Sequence, residues 1–156
     1  MQQSSGQAWL PPRWFIRAAW VVHRAMYRVS GGRFGLRRAT DKEWGMMRLR
    51  TVGRRSGAER EAILGYFEDG NNLVTMAMNG WGKPEPAWWL NLQAQPEATV
   101  ELVDGTRKVR ARAAVAEERG RLWARWAQYD RGLDGYAARR PRETAVVILE
   151  PVSGPG

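Results

Sequence analysis

The sequence predicts an α+β protein, mainly antiparallel β, that folds as a partly closed barrel with an N-terminal helix and short flanking helices. One observation is a change of rhythm at Trp44, after which short apolar runs of strand length are separated by turn residues. Another is that the chain shows no βαβ alternation and no Gly-x-Gly-x-x-Gly run, which disfavours a doubly wound sheet with a nicotinamide site. The length of 156 residues suits a single domain.

The pattern divides the chain into an arm over residues 1–40, a barrel domain over 41–151 and a flexible tail over 152–156. Within the barrel domain the predicted strands are 46–52, 60–67, 73–78, 99–103, 107–115 and 144–150, and the predicted helices are 88–94 and 117–129. Residues 53–57 form a loop, 68–72 a turn, and Asp104-Gly105 a hairpin turn. The end of the chain from Pro151 onward reads as loose.

The arm contains a predicted helix from residue 11 to about residue 29, with a tryptophan-rich apolar face. Residues 1–40 hold seven arginines and no acidic residue, and Arg13, Arg17, Arg24 and Arg28 fall along one face of the helix. Two interpretations are open. The helix packs across the barrel with its arginines in solvent, or residues 11–38 lie on an anionic membrane surface.

Composition excludes several classes of site. The chain has no cysteine, so disulfides and thiolate-bound zinc or iron–sulfur clusters are ruled out, and His23 alone makes a histidine metal site or a serine triad improbable. No apolar run is long enough to span a membrane and we identify no signal peptide, so we expect a cytoplasmic protein, with docking on the inner face of the cell membrane as the option that the arm adds.

The basic charge is concentrated in the arm. Residues 41–156 hold 18 basic and 16 acidic side chains, so the body of the protein is close to neutral. A protein that coats nucleic acid needs basic groups across its body, and we therefore expect no nucleic-acid partner. A basic module that binds nucleic acid through arginine and tryptophan is kept as an alternative from another class.

The first candidate site is the loop Gly53-Arg54-Arg55-Ser56-Gly57, followed by Arg60. Glycines let the backbone approach an anion, arginines offer permanently charged forked donors, and the serine adds a hydroxyl. This combination predicts a clamp for a phosphate or carboxylate. The alternative is a solvated, arginine-rich hairpin turn.

Two further stretches suggest contacts with a planar ligand. Residues 77–80, Ala-Met-Asn-Gly, follow a strand, and a glycine there brings backbone N–H groups close to a ligand. At the start of the next helix, Trp88 and Asn91 are three residues apart, which places an aromatic plane and an amide on one face. The alternatives are an ordinary turn and a tryptophan pair that belongs to the core.

Together these stretches resemble the deazaflavin-dependent nitroreductase family, a branch of the flavin/deazaflavin split-barrel oxidoreductases. The resemblance rests on the order and spacing of Gly53-Arg-Arg-Ser-Gly57 with Arg60, the Tyr66…Asp69-Gly70 turn, Asn79-Gly80, and Pro86-x-Trp88-x-x-Asn91-Leu92-x-Ala-x-Pro96. It covers about residues 45–150. The resemblance implies a split β-barrel and coenzyme F-420, a deazaflavin with a phosphate and an anionic glutamate tail.

The resemblance also implies roles for individual residues. Arg54, Arg55, Ser56 and Arg60, with Gly57 in the same loop, would hold the phosphate and tail. Ala77, Met78, Asn79, Gly80, Trp88 and Asn91 would line the deazaflavin and its ribityl chain. Such enzymes pass hydride from the reduced cofactor to a small apolar acceptor (a quinone, an enone or enoate, or an activated nitro compound). They are typical of actinobacteria and rely on a separate dehydrogenase to regenerate the cofactor.

The sequence departs from the family pattern at two places. Some members carry a basic residue where Asn79 stands and a glycine where Trp81 stands. A nitroimidazole-reducing member has a tyrosine cluster over its substrate, of which only part is present here, so nitroimidazole reduction is not carried over. We expect Tyr136, and with less support Tyr66, to border the acceptor and deliver a proton, although solvent is an equally good source. Within the same fold, FMN or a tetrapyrrole remains the alternative ligand.

Overall fold

The computed structural model describes residues 35–78 and 84–152. Its strands are β1 (Gly45–Val52), β2 (Glu59–Asp69), β3 (Asn72–Met76), β4 (Glu97–Leu102), β5 (Gly105–Ala113) and β6 (Val146–Pro151). Its helices are α1 (Ala87–Ala94), α2 (Ala116–Tyr129) and α3 (Leu133–Ala138). The helix predicted at residues 11–29 lies outside the described residues.

The six strands form a closed antiparallel barrel in the order β1-β2-β3-β6-β5-β4. The pairing of β1 with β4, in which Arg48 lies opposite Glu101, completes the ring. A closed barrel leaves no unpaired sheet edge. The predicted mainly antiparallel barrel with flanking helices is confirmed, and the closure is complete where the sequence predicted a partial one.

Alternating side chains give the barrel its interior. In β1 every second residue is buried, and Met47 and Leu49 point inward while Arg48 and Arg50 lie on the outer face. The interior cluster also takes in Trp88, Trp89 and Leu92 of α1, together with Tyr66, Leu73, Ala77, Val100, Leu102, Val109, Val147 and Leu149. Helix α1 therefore packs as part of the barrel core.

A second cluster lies between the outer face of β2, β3 and β6 and the helices α2 and α3. Trp126 of α2 is fully buried in it, stacks on Trp44 at 5.3 Å between ring centres, and packs against Phe67 at 5.8 Å. Its other members include Val74, Met76, Leu122, Leu133 and Ile148. The helices thus cover one side of the barrel with apolar contacts.

Several predicted boundaries need correction. The turn predicted at 68–72 is shorter, because Asp69 pairs with Asn72 across a two-residue hairpin. The third strand ends at Met76 rather than residue 78: the N–H of Ala77 still donates to the carbonyl of Ala145, but the N–H of Met78 turns back to the carbonyl of Met76 at 3.0 Å. Pro151, predicted as part of a loose tail, is paired with Val109 in β6.

Other differences concern α3, strands β4 and β5, and the arm. Helix α3 was not predicted, because six residues with two glycines within and before them carry little periodic signal. Strand β4, at 97–102, begins two residues and ends one residue before its predicted bounds. Strand β5, at 105–113, is displaced by two residues, so Gly105 begins β5 instead of ending the turn. Arg37 exchanges backbone hydrogen bonds with Met46, so the chain already contacts the barrel before residue 40.

Candidate functional site

The loop between β1 and β2 is held in one shape by its own hydrogen bonds. The N–H of Gly53 donates to the carbonyl of Ala58 at 2.7 Å, and the N–H of Gly57 donates to the carbonyl of Gly53 at 2.8 Å. Gly57 has a φ of 71°, which favours glycine. The Oγ atom of Ser56 accepts from the N–H of Ala58 at 3.1 Å, so this hydroxyl shapes the loop and keeps its own proton to donate.

The arginines of this loop are exposed and carry no carboxylate partner. Of the ion pairs between described residues, none involves Arg54, Arg55 or Arg60. The strand register explains why, since Arg60 lies opposite Thr51 on one face whereas Glu59 and Glu61 lie on the other.

On that outer face the two glutamates pair with arginines of β1. Arg50 lies 3.3 Å from Glu59, and Arg48 lies 3.4 Å from Glu61 and contacts Glu101. The carboxylates nearest in sequence are thus engaged on the barrel wall. The positive charge of the loop remains available to an anion.

Asn91 of α1 locks this loop to the barrel. Its Oδ1 atom accepts from the backbone N–H of Arg54 at 3.1 Å and from Nη1 of Arg54 at 3.4 Å. Its Nδ2 atom donates to Oγ1 of Thr51 at 3.1 Å. The side chain is 3% exposed, so its visible role is to position Arg54.

The two stretches predicted to contact a planar ligand, residues 77–80 and Trp88 with Asn91, lie partly within the described residues. Ala77 is buried in the barrel interior, and Met78 packs against the outer cluster. Trp88 is 8% and Trp89 7% exposed, and the two rings meet edge-on at 6.4 Å, so both belong to the core. Asn79 and Gly80 lie outside the described residues, and their predicted contacts stay predictions.

Tyr66, one of the two predicted tyrosines, lies away from the arginine loop. Tyr66 is buried in the barrel interior opposite Gly45, six residues along β2 from Arg60, or about 20 Å at the usual strand rise. Burial raises the pKa of the Tyr66 phenol, and a hydrogen bond from the backbone of Ala39 works in the opposite direction. The structure therefore does not bring Tyr66 to the loop.

Tyr136 lies in α3 and is half-buried. Its N–H donates to the carbonyl of Gly132 at 3.0 Å. Helix α3 ends at Ala138, and Arg140, four residues after Tyr136, contacts Ala77. Tyr136 is thus close in sequence to a residue that contacts the predicted ligand-binding stretch 77–80.

Arg140 is a residue that the sequence analysis missed. Its guanidinium donates to the carbonyl of Ala77 at 2.8 Å and pairs with the carboxylate of Glu85 at 2.9 Å. The sequence carries no local signal for this role, because Arg140 stands among other arginines after a short helix, and Ala77 and Glu85 lie more than 50 residues away.

The arrangement suits a ligand with an anionic tail and an apolar ring. Three exposed arginines on a rigid loop provide charge-assisted donors for phosphate or carboxylate. Helix α1 runs from the tryptophan pair to Asn91 and so connects an apolar surface to that loop. The residues present therefore fit a phosphorylated deazaflavin. No group of three or more metal-ligating side chains occurs within residues 35–78 and 84–152.

Comparisons with known proteins agree with this fit. The sequence model of the F420H(2)-dependent quinone reductase family matches residues 20–151. An F420H(2)-dependent quinone reductase of Mycobacterium tuberculosis is 28% identical over 146 residues, covering 88% of this chain and 95% of its own. A second protein of that organism, assigned provisionally to the same activity, is 33% identical over 98 residues, covering 63% of this chain and 82% of its own.

A solved structure agrees as well. The F420-H2 dependent reductase FDR-A superposes with a TM-score of 0.61 at 25% identity, over 67% of this chain and 93% of its own.

Proposed function

Since the chain belongs to the F420H(2)-dependent quinone reductase family, with reduced coenzyme F-420 (F420 in the family name) as its cofactor, we propose that it reduces a quinone at the site formed by the β1–β2 loop and α1. The observation that carries the placement is the loop itself. Arg54, Arg55 and Arg60 are exposed and without carboxylate partners among the described residues, while Asn91 fixes Arg54 to α1.

Binding is assigned to the loop. Arg54, Arg55 and Arg60 neutralise the phosphate and the anionic tail, and the hydroxyl of Ser56 donates a further hydrogen bond. Asn91 contributes by holding Arg54 in place rather than by exposing its own amide. Because the loop is already shaped by internal hydrogen bonds, little ordering is required when the anion binds.

Reduced coenzyme F-420 supplies a hydride, that is, two electrons at once. The chain's own task is to orient the ring, exclude water and place an acceptor beside it. The buried Trp88 and Trp89 supply a rigid, water-free wall on α1. Reduction of a quinone to a quinol also consumes one proton, which the Tyr136 hydroxyl or solvent delivers to the acceptor oxygen.

The finer predictions follow from the same site. Enones, enoates and activated nitro compounds also accept a hydride, and we propose them as secondary substrates. A separate dehydrogenase reduces the spent cofactor. Binding of FMN in place of the deazaflavin is the alternative that a titration decides.

Docking on an anionic membrane remains a proposal for residues 11–38, because quinones dissolve in lipid. Within the described part of the chain, no helix is long and apolar enough to cross a membrane. Co-sedimentation with anionic vesicles, comparing the full chain with one that begins at Thr40, tests it. Equal binding of the two chains would contradict docking through the arm.

Steady-state turnover tests the reaction. Reduced coenzyme F-420 is offered with menadione, a nitro compound and an enone in parallel, and oxidation of the cofactor is followed by its absorbance. We expect turnover with menadione that exceeds turnover with the other acceptors. A protein that binds the cofactor but reduces no quinone would contradict the proposed acceptor class.

A further inference from the structure

Arg140 makes the most buried ion pair of the described residues. Its side chain is 1% exposed and that of Glu85 is 11% exposed. The guanidinium Nη1 donates to the carbonyl of Ala77 and to Oγ1 of Thr144, both at 2.8 Å, and Nη2 reaches Glu85 at 2.9 Å and the carbonyl of Pro84 at 3.4 Å. A charge this buried is costly unless its donors are satisfied, and here the forked geometry satisfies them.

These contacts join three segments of the chain. Ala77 follows β3, Pro84 and Glu85 lead into α1, and Thr144 precedes β6. The N–H of Ala77 is itself bonded to the carbonyl of Ala145 at 3.0 Å, so the end of β3 is fixed from both sides.

The same contacts set the position of α1. Glu85 is followed by Pro86, whose carbonyl accepts from the N–H of Trp89 at 3.1 Å in the first turn of the helix. Holding Glu85 therefore holds the start of α1, and α1 in turn holds Arg54 through Asn91.

We propose that Arg140 is a positioning residue for the reductase site: it clamps the residues after β3 to the start of α1, and so holds α1 in register with the arginine loop. The inference rests on the proposed function, since it assigns Arg140 to that same site. Arg140 lies behind these segments and is not assigned a contact with the cofactor.

Arg119 provides a matched control. It is also a partly buried arginine of this region, pairing with Glu143 at 2.7 Å and donating to the carbonyl of Thr144 at 2.7 Å. Among the described residues, none of its hydrogen bonds or ion pairs reaches Ala77, Pro84 or Glu85. Arg119→Gln therefore removes an ion pair beside β6, one whose carboxylate is 74% exposed, while leaving the β3–α1 clamp in place.

The experiment compares Arg140→Gln, Arg140→Lys and Arg119→Gln in the full chain. Because Arg140→Gln leaves a buried carboxylate unpaired, the double variant Arg140→Gln with Glu85→Gln serves where the single variant does not fold. The measurements are amide hydrogen exchange over residues 76–78 and 84–90, the Kd for coenzyme F-420 by fluorescence, and kcat and KM with menadione.

In Arg140→Gln we expect faster exchange in both segments and a Kd raised about tenfold or more, because displacing binding groups by even an ångström is costly. Lysine keeps the charge but cannot make the forked contacts, so it restores part of the affinity. Arg119→Gln loses thermal stability but keeps the wild-type Kd within about twofold.

Unchanged exchange or affinity in a folded Arg140→Gln protein overturns the inference, as does an equal loss of affinity in Arg119→Gln. A wild-type protein that does not bind coenzyme F-420 overturns the proposed function and with it this role. Hydrogen exchange needs no cofactor, so it distinguishes this case: exchange over residues 76–78 and 84–90 would still be faster in Arg140→Gln although the wild type binds no coenzyme F-420.

Discussion

Replacement of Asn91 by alanine tests how the arginine loop is held. The change removes three hydrogen bonds, two from Arg54 and one to Thr51. Arg54 is exposed, so water replaces its lost partner at a net cost of about 0.5–1.5 kcal/mol, whereas the buried Thr51 hydroxyl left without a partner costs about 1–3 kcal/mol. We expect Asn91→Ala to lower the free energy of unfolding by about 2–4 kcal/mol.

The same change weakens cofactor binding. Once released, the loop has to be ordered again when the anion binds, and fixing one backbone residue costs about 1–2 kcal/mol. A loss of about 1.4 kcal/mol is a tenfold change in Kd, so we expect the Kd for coenzyme F-420 to rise about tenfold. Urea unfolding followed by tryptophan fluorescence gives the stability, and titration of the folded protein gives the Kd.

Thr51→Val is the matched control. It removes the hydroxyl with little change of shape and so leaves the Asn91 amide nitrogen unpaired, but it retains both contacts to Arg54. We expect a stability loss of about 1–3 kcal/mol with a Kd within about twofold of the wild type.

The double variant of Asn91→Ala with Arg54→Ala completes the test. Arg54→Ala removes the guanidinium contact to Asn91 but keeps the backbone N–H contact, so we expect the two effects on the Kd to add only in part. Wild-type affinity in folded Asn91→Ala would refute the reasoning. An equal loss of affinity in Thr51→Val, or additive effects in the double variant, would refute it as well.

Two other predictions use the charges of the described residues. Arg55→Ala and Arg60→Ala each raise the Kd for coenzyme F-420 about fivefold to tenfold, and by less at high salt. The control Arg107→Ala, at an exposed position of β5, leaves the Kd unchanged. Titrations at two salt concentrations measure these effects, and an equal effect of Arg107→Ala would contradict a local clamp. The hydrogen bonds from Arg121 hold the pKa of Asp69 below its usual value. This pair therefore stabilises the fold fully above the ordinary carboxyl pKa, and the stabilisation is lost as the pH falls through the lowered pKa of Asp69. Asp69→Asn should flatten that part of the acid-unfolding curve, and an unchanged curve would contradict the stabilising role of the pair.

The strands could be predicted because their signals are local. Alternation of Met47 and Leu49 with Arg48 and Arg50, and glycine-containing turns such as Gly70-Asn71, indicate strand and hairpin without reference to the rest of the chain. The arginine loop was likewise identified from residue type and spacing, since Arg54, Arg55 and Arg60 belong to one hairpin. The sequence therefore predicts best the strands, turns and loop whose conformation depends on residues close together in the chain.

The remaining features depend on tertiary contacts. The sequence placed Asn91 beside a ligand, but only the packing of α1 on β1 reveals that its amide is used by Thr51 and Arg54. Arg140 and Glu85 are 55 residues apart, and nothing local connects them. The strand register places Tyr66 at the opposite end of the β1–β2 hairpin from the loop, and its predicted position beside the acceptor stays a prediction.

The central claim is that this barrel binds a deazaflavin through the β1–β2 loop, and a fluorescence titration of the full chain with coenzyme F-420, run in parallel with FMN, tests it most directly. The account predicts saturation by the deazaflavin at micromolar concentration or below, with FMN bound at least about tenfold more weakly. Preference for FMN, or no binding of either, would mean that residues 53–60 are a basic turn on a barrel used for something else.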